Sequence, residues 1–130
     1  MASDYLDYVT ELLSPLGTVR AKAMFGGIGV YIDELFCALI VDDCLYFKGD
    51  EDNQAQYLAA GCEPFTYTAK GVSQSLRYYR VPGEALDNPQ ALAPWARLGM
   101  AAALRKAARP QPRRMAAAGG KQKLAKNGNR

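Results

Sequence analysis

Histidine, the residue that most often acts as a general base in enzymes, is missing from this 130-residue sequence. Its absence also removes the Ser–His and Cys–His nucleophile pairs. The three cysteines, Cys37, Cys44 and Cys62, are odd in number and lack close CxxC spacing, so we expect reduced thiols. We predict no catalytic residue, no metal and no cofactor, and therefore no enzyme.

Three other groups of residues could do chemistry, and each has a structural explanation that we favour. The run from Gly26 to Gly29 reads G-G-x-G between strands, whereas a dinucleotide-binding loop needs G-x-G-x-x-G before a helix; we expect a bulge or a close backbone approach. The acidic groups at 42–43 and 50–52 match no calcium loop and suit turns and a helix start. Cys62 has Glu63 beside it and no adjacent cation, which predicts an unreactive thiol.

Aromatic and cationic side chains share one predicted strand at Arg77, Tyr78, Tyr79 and Arg80. Such side chains can together hold single-stranded nucleic acid on a sheet. Strand alternation, however, sends Arg77 and Tyr79 to one face and Tyr78 and Arg80 to the other. We therefore favour a solvated edge with core tyrosines over a nucleic-acid site here.

The net charge of +3 hides an asymmetry between the body of the chain and its end. Residues 109–130 hold seven basic side chains and no acidic one, which leaves nine basic against thirteen acidic residues before them. We predict a folded domain over residues 1–108 and a disordered tail over 109–130. The tail either only solubilises the protein or contacts nucleic-acid phosphates. The predicted phosphate contacts are Arg109, Arg113, Arg114, Lys121, Lys123 and Lys126.

The length fits one domain of ordinary size, and nearly half of the residues are apolar. The first residues lack the basic and then apolar pattern of a secretory signal. No apolar run reaches the roughly 18–20 residues that cross a bilayer. We therefore expect a cytoplasmic protein that does not contact a membrane.

Apolar spacing and turn residues predict the element order α-β-β-β-α-β-β-α, an α+β class with an antiparallel sheet. We expect the last helix to be capped by Asn88 and interrupted at Pro94. The other predicted elements are a helix after Ser3 that ends at Leu16, strands between Lys22 and Lys48, a helix from Asp50 to Gly61, and a hairpin from Phe65 to Val81.

Two acidic pairs, Asp33–Glu34 and Asp42–Asp43, are predicted to be two-residue hairpin turns that join the first three strands. Counting from these turns gives the cross-strand pairs Ile32–Leu35, Val30–Cys37, Ile28–Leu39, Val41–Cys44, Leu39–Tyr46 and Cys37–Lys48.

Both faces of this predicted meander are apolar, although a chain with about three helices can cover only one of them. Gly27 and Gly29 beside Ala38 suggest that helices pack closely on the first face. The second face must meet another layer, either a partner subunit in a homodimer or the C-terminal helix and later strands of the same chain. The residues that we predict to form a protein interface on this second face are Ile28, Val30, Ile32, Leu35, Cys37, Leu39 and Val41.

Several short motifs resemble the N-terminal domain of the TfoX/Sxy family of competence regulators. Together they cover roughly residues 8–107. The motifs are Met24-Phe25-Gly26-Gly27 with Gly29 and Tyr31, Leu45-Tyr46-Phe47-Lys48, Glu63-Pro64-Phe65 with Tyr67, Tyr78-Tyr79 with Val81-Pro82, and Trp95-Ala96.

This resemblance implies a secretion-chaperone-like fold, a two-layer α/β sandwich whose subunits associate in pairs. It also implies a regulatory role, in which the protein assists a cyclic-AMP receptor protein at promoters of DNA-uptake genes. Full-length members of the family have a second, helical domain, whereas in this sequence we expect only the basic tail after the first domain. The family has no established catalytic residues, so the resemblance assigns none.

Overall fold

The computed structural model describes residues 4–24 and 26–109, which form one six-stranded antiparallel sheet and three α-helices. The sheet order is β1-β2-β3-β4-β6-β5. The predicted α+β class is confirmed, with β1 as one strand more than expected. The elements are α1 (Asp4–Leu13), β1 (Val19–Met24), β2 (Gly27–Ile32), β3 (Leu35–Val41), β4 (Cys44–Lys48), α2 (Gln54–Ala59), β5 (Pro64–Ala69), β6 (Val72–Arg80) and α3 (Pro89–Ala108), with short 3₁₀ turns at Ser14–Leu16 and Gly83–Leu86.

The two acidic turns are present where the sequence predicts them. Asp33 and Glu34 have φ values of 50° and 68°, and Asp42 and Asp43 have values of 51° and 55°. Two successive positive φ values are the signature of the type I′ turn, whose twist matches that of the flanking strands. Asp33 also accepts the N–H of Thr18 on its carboxylate at 2.9 Å, which helps to hold the first turn without a glycine.

The predicted register is right for the pairs next to both turns, but between β2 and β3 it is wrong farther from the Asp33–Glu34 turn. A bulge in β3 is the reason, because Cys37 is an extra residue between the pairs that flank it. Pairs confirmed by the structure are Ile32–Leu35, Val41–Cys44 and Leu39–Tyr46. Two predicted pairs are replaced, since Val30 faces Ala38 instead of Cys37, and Ile28 faces Ile40 instead of Leu39.

The bulge decides which residues lie under the helices. After it, the side chains of β2 at Ile28, Val30 and Ile32 share a face with those of β3 at Ala38 and Ile40. All three helices contribute to the core on this side, which we call the helix face. Its buried members from the sheet and the helices include Val9, Leu13, Val30, Ile32, Cys37, Ala38, Ile40, Leu45, Phe47, Tyr57, Tyr79, Leu92 and Ala96.

Helix α3 approaches the sheet most closely at Gly99. A β-carbon at this position would lie 2.9 Å from the carbonyl oxygen of Cys37 and 3.0 Å from Cδ1 of Phe47. The expectation that the strand glycines admit the helix is wrong, because Gly29 lies on the opposite face and is covered there by Met24. The close approach comes from the helix instead.

The predicted interruption at Pro94 is also wrong, since α3 is continuous through it. The proline lies in the second turn, so it removes only one intrahelical hydrogen bond near the helix start. Asn88 caps α3 as predicted, accepting the N–H of Ala91 on its side-chain oxygen at 2.8 Å. Burial of Leu92 and Ala96 on either side of the proline then outweighs the lost hydrogen bond.

A half-buried ion pair joins the far end of α3 to the segment before α2. The Arg105 Nε donates to Oδ2 of Asp50 at 2.7 Å, and Nη2 donates to Oδ1 at 2.9 Å. Asn53 adds a second tie by donating to the carbonyl of Leu98 at 2.8 Å. The hydrogen bond from Arg105 lowers the pKa of Asp50, against the opposing effect of burial.

Replacing Gly99 with alanine should destabilise the protein, although alanine favours an isolated helix by about 1 kcal/mol. We expect Gly99→Ala to lower the free energy of unfolding by about 1–3 kcal/mol, because the added methyl group overpacks α3 against β3. Urea denaturation followed by circular dichroism measures this change. Gly83→Ala is the matched control, since nothing lies within 4 Å of its added β-carbon. A Gly99→Ala protein as stable as the native one would contradict the close approach.

Removing the Arg105 guanidinium should flatten the acid dependence of stability. The pKa of Asp50 lies below its ordinary value of 3.8 in the folded protein. The stability from this pair is therefore complete above pH 3.8 and is lost as the pH falls through the lowered value. Between about pH 6 and about pH 2, Arg105→Met should thus lose less unfolding free energy than the native protein does.

The control for this change is Arg20→Met, which breaks an ion pair with Glu34 whose two side chains are 47% and 67% exposed. Its stability should follow the native pH curve. If Arg105→Met also runs parallel to the native protein at every pH, then Asp50 does not depend on Arg105.

Candidate functional site

The face of the sheet opposite the helices is the candidate site, and we call it the open face. Cross-strand partners share a face, so the observed register assigns each side chain to one side. The bulky and charged side chains of the open face are Arg20, Lys22, Met24, Tyr31, Phe36, Leu39, Val41, Tyr46, Lys48, Phe65, Tyr67, Leu76, Tyr78 and Arg80. None of them belongs to the core cluster under the helices.

An apolar groove of about 330 Å³ crosses the open face. Its volume is at the lower end of the range of small-molecule pockets, and it would also accept a few apolar side chains of a protein partner. None of its lining side chains is charged, and they come from strands β1, β3, β5 and β6. The lining residues are Met24, Leu39, Val41, Phe65, Tyr67 and Leu76.

A row of aromatic rings lies beside this groove on the same face. Tyr31 stacks on Phe36 with ring centroids 5.1 Å apart, and Phe36 meets Tyr78 at 6.0 Å. The guanidinium carbon of Arg20 lies 4.2 Å from the centre of the Tyr31 ring, and the Lys48 ammonium lies 5.1 Å from that of Tyr78. The outer rings of the row are therefore already in contact with cations.

Every charged side chain that the register assigns to the open face is basic. These are Arg20, Lys22, Lys48 and Arg80. Glu34 reaches Arg20 from the turn at the rim, where the two groups pair at 2.9 Å. Burial and the nearby Lys106 lower the pKa of Lys48. A partner with acidic groups around an apolar centre would match this face.

The structure divides the predicted interface between the two faces. Val30, Ile32 and Cys37 are fully buried under the helices. Ile28 and Leu35 are half-buried and pack against the same core. The two remaining residues, Leu39 and Val41, line the groove of the open face. Partner binding by these two stays a prediction, whereas their grouping with the other five fails because of the bulge at Cys37.

Sequence reasoning missed the contribution of the edge strands to this face. Met24, Phe65, Tyr67 and Leu76 line the groove but were not among the predicted interface residues. The spacing of Phe65 with Tyr67, and of Leu76 with Tyr78, is the two-residue period of a half-covered strand and could have identified them.

The predicted split of the β6 side chains is confirmed, but the expectation that this strand is an edge is wrong, because β6 lies between β4 and β5. Tyr79 lies on the helix face opposite Phe47 and stacks on Tyr57 with centroids 4.8 Å apart. Tyr78 lies on the open face opposite Lys48.

Of the six predicted phosphate contacts, only Arg109 lies within the described residues. It is exposed, and its N–H donates to the carbonyls of Arg105 and Lys106 at the end of α3. Arg113, Arg114, Lys121, Lys123 and Lys126 lie outside the described residues. Nucleic-acid contact by this tail stays a prediction.

The three thiols are free and differ in their surroundings. Cys37 and Cys62 are buried, and Cys44 is half-buried on the open face opposite Val41. Burial raises the pKa of Cys37 to about 12. Within residues 4–24 and 26–109, no cluster of three or more histidine, cysteine or acidic side chains could hold a metal ion. Within the same residues, no helix is long and apolar enough to cross a membrane.

Comparison with known proteins agrees with the resemblance found in the sequence. The family model described as the TfoX N-terminal domain matches residues 11–103. The DNA transformation protein TfoX1 of Aliivibrio fischeri is 30% identical over 71 residues, which are 55% of this chain and 34% of that protein. Protein Sxy of Escherichia coli is 31% identical over 96 residues, which are 73% of this chain and 46% of Sxy. The chain thus matches less than half of the length of either relative.

Thiol labelling should report directly on the open face. In the native protein at neutral pH, we expect a maleimide to modify Cys44 first, because Cys37 and Cys62 are buried and burial raises the pKa of both. Peptide mass spectrometry identifies the modified site, and Cys44→Ser should remove the fast phase. Equally fast modification of Cys37 would show that β3 is not covered by the helices.

Proposed function

The chain belongs to the TfoX N-terminal domain family, and on this premise we propose that it is a regulatory domain without catalytic activity. It takes part in the control of DNA-uptake genes by binding a protein partner through the open face. The observation that carries this proposal is the apolar groove. Leu39 and Val41 line it from the middle of the sheet, and Tyr67 and Leu76 line it from the strands at the β5 edge.

The energetics of the groove favour a protein partner. Each leucine or phenylalanine side chain that a partner buries there gains about 1.5–3 kcal/mol. The aromatic and aliphatic lining resembles the buried centre of a protein interface, where aromatic residues and arginine contribute most of the binding energy. Basic groups at Arg20, Lys22 and Arg80 lie on the same face as the groove and would favour a partner with acidic groups beside its apolar side chains.

The partner that we propose is a regulator of the cyclic-AMP receptor protein type. Support comes from the resemblance to the TfoX/Sxy competence regulators and from the name of one relative, a DNA transformation protein. We further propose that the domain acts in the cytoplasm and associates into homodimers. Neither step requires any catalytic group, in keeping with the absence of histidine from the sequence.

Adding a charge to the groove should weaken partner binding. Leu76 is 39% exposed in the free protein and would be buried in the complex, so Leu76→Glu places an unpaired carboxylate in the interface. We expect the dissociation constant for the purified cyclic-AMP receptor protein of the same organism to rise at least about tenfold, a change of 1.4 kcal/mol. Fluorescence anisotropy of the labelled domain, with cyclic AMP and promoter DNA present, measures it.

The matched control is Leu104→Glu, which adds the same charge on α3 at a position that is 59% exposed and far from the open face. It should bind as the native protein does. Equal losses in the two variants would mean that charge alone, and not the groove, determines affinity. If the native domain does not bind the receptor at all, the proposed partner is wrong.

A further inference from the structure

We propose that two copies of this chain join edge to edge through β5, so that their sheets form one continuous antiparallel sheet about a twofold axis at Tyr67. This inference rests on the homodimer of the proposed function and names the surface that forms it. It starts from the position of β5, which pairs only with β6 and is one of the two edges of the sheet. An edge strand presents a row of backbone donors and acceptors that another strand can use.

The two edges of the sheet differ in charge. Strand β1 carries Arg20 and Lys22, and such side chains discourage pairing along an edge. Strand β5 has the sequence PFTYTA, with no charged side chain and with four consecutive residues of types that favour strands. If β1 paired antiparallel with its own copy about Ala21, Arg20 of one copy would face Lys22 of the other, which brings like charges together. Of these two edges, only β5 can therefore pair with itself without repulsion.

Exposed apolar side chains are concentrated around this edge. Six large apolar side chains are exposed among the described residues, and Tyr67, Val72 and Leu76 of the β5–β6 hairpin are three of them. Every residue of β5 and the first six residues of β6 are exposed or half-buried. The helices therefore leave this hairpin largely uncovered, which is the pattern expected where another chain packs.

The turn of the hairpin determines which backbone groups are free. Lys70 and Gly71 form a two-residue turn, so the flanking residues Ala69 and Val72 are hydrogen-bonded to each other. Alternation along an antiparallel ladder then directs the backbone groups of Thr66 and Thr68 away from β6. Both of these threonines are exposed.

One register uses the free groups of both threonines in each copy. Thr66 of one copy faces Thr68 of the other, and the reverse pair forms across the twofold axis. Tyr67 then lies opposite itself as a non-hydrogen-bonded pair, with α-carbons about 4.5 Å apart. Because Phe65 and Tyr67 line the groove, this register brings the grooves of the two copies together on one side of the joined sheet.

The alternative, in which two open faces stack on each other, is electrostatically unfavourable. The four charged side chains that project from that face are all basic, so stacking brings like charges together. Pairing at β5 avoids this repulsion. It also leaves the open faces available for an acidic partner, as the proposed function requires.

Cysteine cross-linking tests the register. In a Cys44→Ser background, Tyr67→Cys should form an intermolecular disulfide under mild oxidation, because the paired α-carbons lie within the 4.4–6.8 Å that a disulfide spans. Gln74→Cys is the matched control, since Gln74 faces Tyr67 on β6 but lies one strand further from the axis. It should remain unlinked. Non-reducing electrophoresis compares the two, and equal cross-linking of both variants, or none with Tyr67→Cys, would overturn the proposal.

Charge substitution tests the same contact without a covalent cross-link. Thr66→Lys with Thr68→Lys puts lysines opposite each other in both pairs, and we expect the dimer dissociation constant to rise roughly tenfold or more. Thr66→Glu with Thr68→Lys places opposite charges across the axis and should restore the dimer. Light scattering after size-exclusion chromatography gives the masses, and circular dichroism checks that both variants fold. Equal masses for the two double variants would contradict pairing at β5.

Failure here and failure of the proposed function give different results. If β5 is not the contact, the native protein can still dimerise and Leu76→Glu can still weaken receptor binding. If the native protein is a monomer at tens of micromolar, the homodimer itself is wrong, and this inference is overturned with it. Loss of receptor binding by the Thr66→Lys, Thr68→Lys variant alone would show that the receptor needs the dimer.

Discussion

The extra residue that Cys37 adds to β3 controls how the apolar side chains of this domain are divided between the two faces of its sheet. Side chains alternate along a strand, so one inserted residue exchanges the faces of everything beyond it. The bulge places Val30 and Ile32 beside Ala38 and Ile40, and this set forms the floor on which the helices pack. Without it, Val30 and Ile32 would share a face with Leu39 and Val41 instead of Ala38 and Ile40.

The helix layer depends on this floor and covers only one side. Gly99 lets α3 approach the β3 backbone, and the ion pair of Arg105 with Asp50 holds the other end of the helix. All three helices contribute to that one core, and the opposite side keeps apolar side chains such as Tyr67 and Leu76 exposed. The open face is therefore a consequence of having enough helices for one layer, and it is the surface that our proposal gives to a partner.

Charge determines which surface of the sheet suits a protein partner and which suits a second copy of the chain. Basic side chains on the open face suit an acidic partner and oppose stacking of one copy on another. The uncharged strand β5 suits pairing with its own copy, whereas Arg20 and Lys22 protect the β1 edge. A dimer joined at β5 would present two grooves side by side, and a regulator with twofold symmetry could occupy both of them.

Much of this fold follows from the sequence alone, because its signals are local. Turn residues at Asp33–Glu34 and Asp42–Asp43, the cap at Asn88 and the apolar periods of the strands predict the α+β class and both hairpin turns. The family is suggested separately, by the resemblance of short motifs such as Leu45-Tyr46-Phe47-Lys48. The sequence also shows that both sides of the meander are apolar. Only the tertiary structure decides which of the two sides the helices cover, because that depends on the bulge at Cys37, and no residue type identifies a bulge in the sequence. It likewise decides that α3 continues through Pro94 and that β5 completes the groove, since both depend on packing between segments that are distant in the chain.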